Sequence, residues 1–454
     1  MTERVLILGA ARQGLALARY LSTHGAHVTL NDARSDENLA RAHQELAGLP
    51  IRWVTGGHPL NLLDEADRVC LSGGVPLDLP LVQEAVRRGI PLSNDSQIFL
   101  EAAPCRVAGI TGSAGKTTTT TLVGRMAHAA WPARVWVGGN IGYPLIACVD
   151  EMQPHDLAVM ELSSFQLEIM TRSPQVAAVL NITPNHLDRH GTMAAYTAAK
   201  AHILKYQTPA DVLVLNREEP GAWGLAGQAV GGLLTFGLAR PPQGQAGTWL
   251  DPEGNLVFQD ADHRQTPLCH RSLIQLRGEH NLKNCLAAAA IALAASLPPE
   301  AVAAGIRDFN GVPHRLELVR RHHDIAWYND SIATAPERTM AALRAFDEPL
   351  VLLAGGRDKK LPWDAFAALV HERVKHLIAF GEAADLIATA VGKPSGRLQS
   401  VHRCAGLFLA VQQAAQIAEP GDVVLLSPGG TSFDEFADFA ERGEKFRLWV
   451  QTLP

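Results

Sequence analysis

At 454 residues the chain is too long for one ordinary domain and long enough to bury about three separate cores. Its 40 basic and 46 acidic residues leave a formal charge of −6, so no positive field exists to attract nucleic acid or an anionic membrane, and small anions must be captured by local devices. The six cysteines show no C-x-x-C spacing, which argues against a zinc ribbon or a disulfide framework and leaves buried, reduced thiols.

In chain order, Met1-Thr-Glu-Arg4 leads directly into an apolar strand, Val5–Leu8, and not into a signal sequence. A glycine turn follows, Gly9-Ala-Ala-Arg-Gln-Gly14, and then a helix. Ala11 stands where a dinucleotide-binding G-x-G-x-x-G turn has its second glycine, and its methyl group limits backbone approach to a pyrophosphate. Arg12 and Gln13 are placed to donate to a phosphate. Asp32, after the strand Val28–Leu30, stands where an acidic residue meets a ribose, and Val69–Leu71 leads to Ser72. This first group closes near Pro104.

Val107–Ile110 reads as a buried strand, Thr111–Gly115 as a turn and Lys116 onward as a helix, which is the context a phosphate loop needs. Glycines let backbone N–H groups converge on an anion, the helix N-terminus adds its dipole, and Lys116 adds a point charge. Gly112, Ser113, Ala114, Gly115, Lys116, Thr117 and Thr118 are the candidate nucleotide contacts, with the Thr117 hydroxyl available to Mg²⁺. The strand Leu157–Met160 then delivers Glu161, a natural metal carboxylate at the end of a parallel strand, followed by the polar Ser163, Ser164 and Gln166. The next strand, 176–180, leads to His186, a candidate ligand for a second metal, and to a helix carrying Lys200.

Val212–Leu215 is a further strand, and the polar stretch Gly237 to Arg264 reads as short strands and turns added to the sheet. The apolar run Cys285 to Leu297 is well short of the ~20 residues of a membrane span. Gly311-Val-Pro313 marks a turn into a last series with strands at Leu350–Leu353, Leu377–Phe380 and Val423–Leu426. Recurrent strand-helix units predict an α/β protein with mostly parallel sheets, divided as 1–103, 104–310 and 311–454. The expected protein is cytoplasmic and monomeric, with no nucleic-acid or membrane partner.

Taken together, Thr111-Gly-Ser-Ala-Gly-Lys-Thr117, Gly139-Asn-Ile-Gly142, Glu161-Leu-Ser-Ser-Phe-Gln166, Asn185-His-Leu-Asp188, Ala195-Tyr-Thr-Ala-Ala-Lys200, Gly278-Glu-His-Asn281, Pro313-His-Arg315 and Asn329-Asp-Ser331 resemble the Mur ligase family, in the family's order and over nearly the whole chain. These are ATP-dependent amide-forming enzymes of cell-wall precursor synthesis. The resemblance is to the branch that adds glutamate to UDP-N-acetylmuramoyl-L-alanine. It implies a Rossmann-like N-terminal domain for the UDP substrate, a central P-loop ATPase domain and a Rossmann-like C-terminal domain for the amino acid.

The resemblance also implies roles. Thr117 and Glu161 would hold one Mg²⁺ and His186 with a carbamate on Lys200 a second, while Lys116 and Arg315 stabilise the transferring phosphoryl group. The carbamate is chemically sensible, since an ammonium beside two Mg²⁺ is disfavoured and the neutral amine captures CO₂. Asn281 would meet adenine and Asp330 the ribose of ATP. Gln13, Asp32, Arg34 and Ser72 would meet the UDP portion, Asn140 the muramoyl portion, with Ser163 and Gln166 as further substrate contacts. Thr334, Lys359, Ser432 and Phe439 would form the glutamate pocket.

Two positions depart from the family pattern: Ile332 replaces a lysine, and Gly73 replaces a proline. Arg338, Arg357 and Lys360 are the cations available to compensate at Ile332, and D- and L-glutamate both stay open as substrates. A folylpolyglutamate synthase shares the ATPase plan but has no need of the hundred or so residues before the phosphate loop. A GTPase switch lacks its guanine-reading motif here, and a non-catalytic partner would have lost Lys116, Glu161, His186 or Lys200.

Overall fold

A computed structural model of the chain describes residues 2–454, the side chain of Asp188 apart. Two compact units form, Met1–Ile274 with Glu279–Asp308, and Gln275–Gly278 with Phe309–Pro454.

The first unit holds two sheets. In the first, β1 (Arg4–Leu8), β2 (His27–Asp32), β3 (Ile51–Thr55), β4 (Arg68–Leu71) and β5 (Leu92–Ser93) run parallel in the order β3-β2-β1-β4-β5. Val5 to Leu8 are all buried, as a central parallel strand covered on both faces requires. Leu8 pairs with both Asn31 and Leu71, so Gly9, Asp32 and Ser72 leave the sheet side by side. A Cβ at Gly14 would sit 1.9 Å from the Gly9 carbonyl oxygen, so only glycine lets the helix Arg12–Thr23 start this close to the turn.

The second sheet contains β6 (Arg106–Thr111), β7 (Val135–Gly139), β8 (Leu157–Glu161), β9 (Val176–Val179), β10 (Val212–Asn216), β11 (Gly232–Phe236), β12 (Ala246–Leu250), β13 (Asn255–Gln259) and β14 (Gln265–His270). Its order is β14-β13-β12-β11-β10-β9-β6-β8-β7. The strands from β7 to β12 are parallel, and β13 and β14 extend the sheet as an antiparallel meander, which is what the polar stretch after Gly237 becomes. The Ala-rich helix Glu279–Ala294 is buried along most of its length, as a helix apolar on nearly every side must be.

The second unit has one sheet of β15 (Glu317–His322), β16 (Ile325–Asn329), β17 (Leu350–Gly355), β18 (Val374–Phe380), β19 (Ser400–Cys404) and β20 (Val423–Gly429), ordered β15-β16-β20-β17-β18-β19. Only β15 is antiparallel. The short segment Gln275–Gly278 joins this unit because Arg277 pairs with Glu348 and donates to the Tyr328 hydroxyl at 2.8 Å. All six cysteines are free thiols, four buried and two, Cys269 and Cys404, partly exposed. No described helix is long and apolar enough to cross a membrane.

Candidate active site

Strand order builds the centre of the first unit. β6 lies between β8 and β9, with Ile110 opposite Glu161 and Thr111 opposite Val179, while β7 brings Gly139 opposite Glu161. The chain reverses direction of winding at β6, the position where open α/β sheets collect ligands. The phosphate loop, Glu161, the Gly139–Gly142 turn and the Asn181 segment therefore leave the sheet together.

The loop is braced on both sides. Lys116 Nζ donates to the Gly112 carbonyl at 2.9 Å, the Ala114 N–H donates to Asn181 Oδ1 at 2.8 Å, and the Ser113 hydroxyl donates to the Thr183 carbonyl at 2.9 Å. Gly115 takes φ 82°, and a Cβ there would lie 2.4 Å from Asn284 Oδ1. Asn284 Nδ2 in turn donates to Asn281 Oδ1 at 3.1 Å, so the helix Glu279–Ala294 presents Asn281 close to the loop. Thr117 and Thr118 lie in the first turn of the helix Lys116–Ala130, whose N-terminus adjoins the loop.

Glu161 is 2 % exposed and sits between two neutral donors, the Thr117 hydroxyl on Oε2 and the Asn140 amide on Oε1, each at 2.9 Å. Neither donor neutralises its charge. Among the described residues no group of three or more His, Cys, Asp or Glu side chains is gathered into a metal cage. A single carboxylate beside a hydroxyl suits Mg²⁺, which keeps waters and takes one or two carboxylates together with substrate phosphates.

Lys200 is 1 % exposed in the helix Met193–Lys205. Its amine lies 3.0 Å from the Gly112 carbonyl oxygen and 3.3 Å from Thr111 Oγ1, and 4.8 Å over the ring of Tyr196. Burial, reinforced by the Lys116 charge and opposed by Glu161, pushes its pKa down to about 7. A substantial fraction of the amine is then neutral near pH 7. The side chain is turned toward the loop and away from solvent. Tyr196, one turn earlier on the same face, also bonds Ser113 Oγ at 3.0 Å, a contact that the i, i+4 spacing to Lys200 could have suggested.

His186 is exposed, in the left-handed conformation at φ 53°, with its ring 5.1 Å from that of Phe165. His190, unflagged by the sequence, is buried, bonds Ser164 Oγ at 3.0 Å and stacks on Phe165 at 5.2 Å. Ser163 and Gln166 form a capping box at the start of the helix Ser164–Leu167, and Gln166 Nε2 donates to Ser96 Oγ at 2.7 Å. Their polar groups are engaged within the protein. Gln166 nevertheless lines one crevice with Ser72, Gly73, Phe165 and Arg189.

On the first sheet, Asp32 accepts from the Ala10 N–H at 2.8 Å and from Arg34 on both oxygens. The Arg34 guanidinium holds its carboxyl well below the usual carboxylate range, so Asp32 is firmly charged. Arg12 and Gln13, expected to face a phosphate, are otherwise engaged. Gln13 Oε1 accepts the Gly73 N–H at 3.1 Å, and Arg12 reaches the carbonyls of Gly142 and Asn140. The Gly73 departure has a physical reason: proline would remove that N–H, and a Cβ would sit 2.6 Å from Gln13 Oε1.

In the second unit, β20 lies between β16 and β17, pairing Asn329 with Leu426 and Gly355 with Gly429, so the segments after all three strands converge. Asp330 is 5 % exposed and accepts from the Ser427 hydroxyl at 2.8 Å and the Leu316 N–H at 3.2 Å, next to the exposed Arg315. Burial raises its pKa to about 7. Lys359 Nζ donates to Thr334 Oγ1 at 3.1 Å, joining two expected pocket residues, and Ser432 is buried. Phe439 opens the helix Phe439–Gln451, and its carbonyl accepts from Ser331 Oγ at 2.9 Å. Near Ile332, Arg357 is committed to Glu382 by two 2.8 Å bonds, whereas Arg338 reaches the Ile332 carbonyl at 3.4 Å. The fully buried Arg442, missed by the sequence, ties Ser331 to Gly430 through their carbonyls at 2.9 and 3.1 Å.

Three family models match in order: a Mur ligase MurD-like N-terminal domain over residues 3–94, a Mur ligase middle domain over 110–292, and a Mur ligase glutamate ligase domain over 314–430. The UDP-N-acetylmuramoylalanine–D-glutamate ligase of Symbiobacterium thermophilum is 41 % identical, covering 100 % of this chain and 99 % of that relative. That of Anaeromyxobacter dehalogenans is 42 % identical, covering 98 % and 96 %. In structure the chain is similar to MurF from Acinetobacter baumannii, with TM-score 0.58 at 18 % identity over 98 % of this chain and 94 % of that one. It is also similar to the UDP-N-acetylmuramate-alanine ligase MurC from Thermotoga maritima, with TM-score 0.57 at 18 % identity over 100 % of both.

Proposed function

This chain belongs to the Mur ligase family, and we propose that it joins D-glutamate to UDP-N-acetylmuramoyl-L-alanine at the expense of ATP, in peptidoglycan precursor synthesis. The observation that carries this is the line from Thr117 through Glu161 to Asn140, closed by the buried amine of Lys200 over the phosphate loop. The D-glutamate assignment follows the names of relatives about two-fifths identical over the full chain.

The reaction brings two anions together twice, so its demand is for neutralisation and alignment. An oxygen of the alanyl carboxylate attacks the γ-phosphorus of ATP, the bond to the bridging oxygen breaks and ADP departs. The amine of D-glutamate then attacks the acyl carbon, inorganic phosphate leaves and the amine gives up a proton. Lys116 and Arg315 offset the charge of the moving phosphoryl group. Thr117 and Glu161 are the residues that would hold one Mg²⁺ with the phosphates, and His186 with carbamylated Lys200 a second. When bound, those ions would supply electrostatic shielding of the reacting anions.

Gly112 to Thr118 cradle the phosphates through backbone and hydroxyl groups, with Asn281 toward adenine and Asp330 toward ribose. Asp32, Arg34, Gln13 and Ser72 serve the UDP portion and Asn140 the muramoyl portion, with Ser163 and Gln166 as further substrate contacts. Thr334, Lys359, Ser432 and Phe439 serve glutamate.

The test is phosphate release from ATP with UDP-N-acetylmuramoyl-L-alanine and each glutamate enantiomer. D-Glutamate should stimulate release and yield the dipeptidyl product. Stimulation by L-glutamate alone, or by neither, would sink the assignment.

A further inference from the structure

We infer that Arg12, in the nucleotide turn of the first sheet, is a positioning residue for the metal carboxylate Glu161 of the second sheet, acting through the Gly139–Gly142 turn. The inference rests on Glu161 being a metal ligand, as proposed above.

Arg12 is the first residue of the helix Arg12–Thr23, where a basic side chain after a glycine turn is ordinarily a phosphate donor. Its guanidinium points elsewhere. Nη1 donates to the Gly142 carbonyl, and Nη2 lies 3.4 Å from the Asn140 carbonyl, so the planar fork spans the tip of a turn on the neighbouring sheet.

That turn has little else to hold its tip. Asn140, Gly142 and Tyr143 are exposed, and a Cβ at Gly142 would meet nothing within 4 Å. Gly139 and Gly142 both take positive φ, 102° and 57°, so the backbone is intrinsically permissive there. The base of the turn is closed by Gly139 N–H to the Tyr143 carbonyl at 3.0 Å and Asn140 N–H to the Glu161 carbonyl at 2.9 Å. Arg12 is therefore the clamp on the outer side of a turn whose inner side carries the Asn140 amide.

The amide donates to Glu161 Oε1 at 2.9 Å, and the other oxygen of Glu161 takes the Thr117 hydroxyl. Five groups form one path: Arg12 guanidinium, Asn140 backbone, Asn140 amide, Glu161 carboxylate, Thr117 hydroxyl. A carboxylate oriented by such an outer partner binds its ion tighter, and losing the partner typically costs about 10–100-fold in affinity. The path also makes the domain that would take the UDP substrate a contributor to the geometry of the nucleotide-metal centre.

Binding of Mn²⁺ with ADP, followed by electron paramagnetic resonance of free Mn²⁺ without UDP substrate or glutamate, tests this. Arg12→Met should weaken Mn²⁺·ADP binding about tenfold, Asn140→Ala by a similar factor, and the double variant no more than the worse single. Arg12→Lys, retaining the charge but not the planar fork, should fall between Arg12→Met and the unaltered chain. Arg12 is exposed, so none of these empties a core; where Arg12→Met folds poorly, Arg12→Gln is held to the same outcomes. Unchanged Mn²⁺·ADP affinity with a raised KM for the UDP substrate would make Arg12 a plain substrate ligand and overturn the inference, as would fully additive losses in the double variant. Because neither amino acid nor UDP substrate is present, a failure of the D-glutamate assignment would leave this result untouched.

Discussion

The amine of Lys200 and the carbonyl oxygen of Gly112 lie 3.0 Å apart, with the lysine buried and its pKa pushed down to about 7. A neutral amine beside the phosphate loop is a nucleophile for CO₂. Exposing the protein to ¹³C-bicarbonate should give a carbamate carbon resonance that grows from about pH 6 to 8 as the ammonium form is lost. Lys200→Ala should abolish both the signal and turnover, and acetate or formate should restore part of the turnover. A resonance unchanged in Lys200→Ala would place the carbamate elsewhere.

Asp330 gives the second unit a pH signature. Its carboxyl, raised from 3.8 to about 7 by burial, binds a proton in the folded protein that the unfolded chain releases. The stabilisation is complete below the unfolded value and is lost as pH rises through about 7, because the folded state holds more protons across that window. Asp330→Asn, similar in shape and neutral, should flatten the fall of melting temperature between those limits. An unaltered slope would assign the proton to another group.

Gly115→Ala tests the loop conformation. Left-handed backbone at φ 82° costs an L-residue about 1–2 kcal/mol, and the added carbon meets Asn284 Oδ1 at 2.4 Å. ATP binding should be lost with only a modest drop in melting temperature. A variant that binds ATP normally would show that the loop is not held as described.

Gly73→Pro removes the N–H that Gln13 accepts. One lost hydrogen bond is worth up to about tenfold, so KM for the UDP substrate should rise by that order while KM for ATP holds. A rise in both would mean damage beyond the first sheet.

The sequence made the central strands legible because each is a continuous apolar run ending in a polar or small residue, as Leu157–Glu161 and Val423–Gly429 are. Strands at or near sheet edges were not. Ile51–Thr55 is only half buried and carries Arg52, and Ser400–Cys404 is interrupted by the adjacent His402 and Arg403, so neither has the run that marks a parallel core strand. In the site, Lys116, Thr117 and Glu161 were visible from local context alone, since loop, helix and strand end define them. Lys200 needed the family likeness, because its helix is apolar on most sides and has no single face to say which way is inward. Asn284 and Arg12 escaped for a different reason: each acts on a residue distant in sequence, and only the fold brings the two together.

The central claim is that the phosphate loop and Glu161 direct phosphoryl transfer to a carboxylate. It is tested most directly by ¹⁸O labelling of the alanyl carboxylate of UDP-N-acetylmuramoyl-L-alanine, with mass analysis of the phosphate released in the presence of ATP and D-glutamate. One labelled oxygen should appear in inorganic phosphate for each amide formed, since the attacking oxygen leaves with phosphorus. Unlabelled phosphate formed alongside product would contradict an acyl phosphate and, with it, the role assigned to this site.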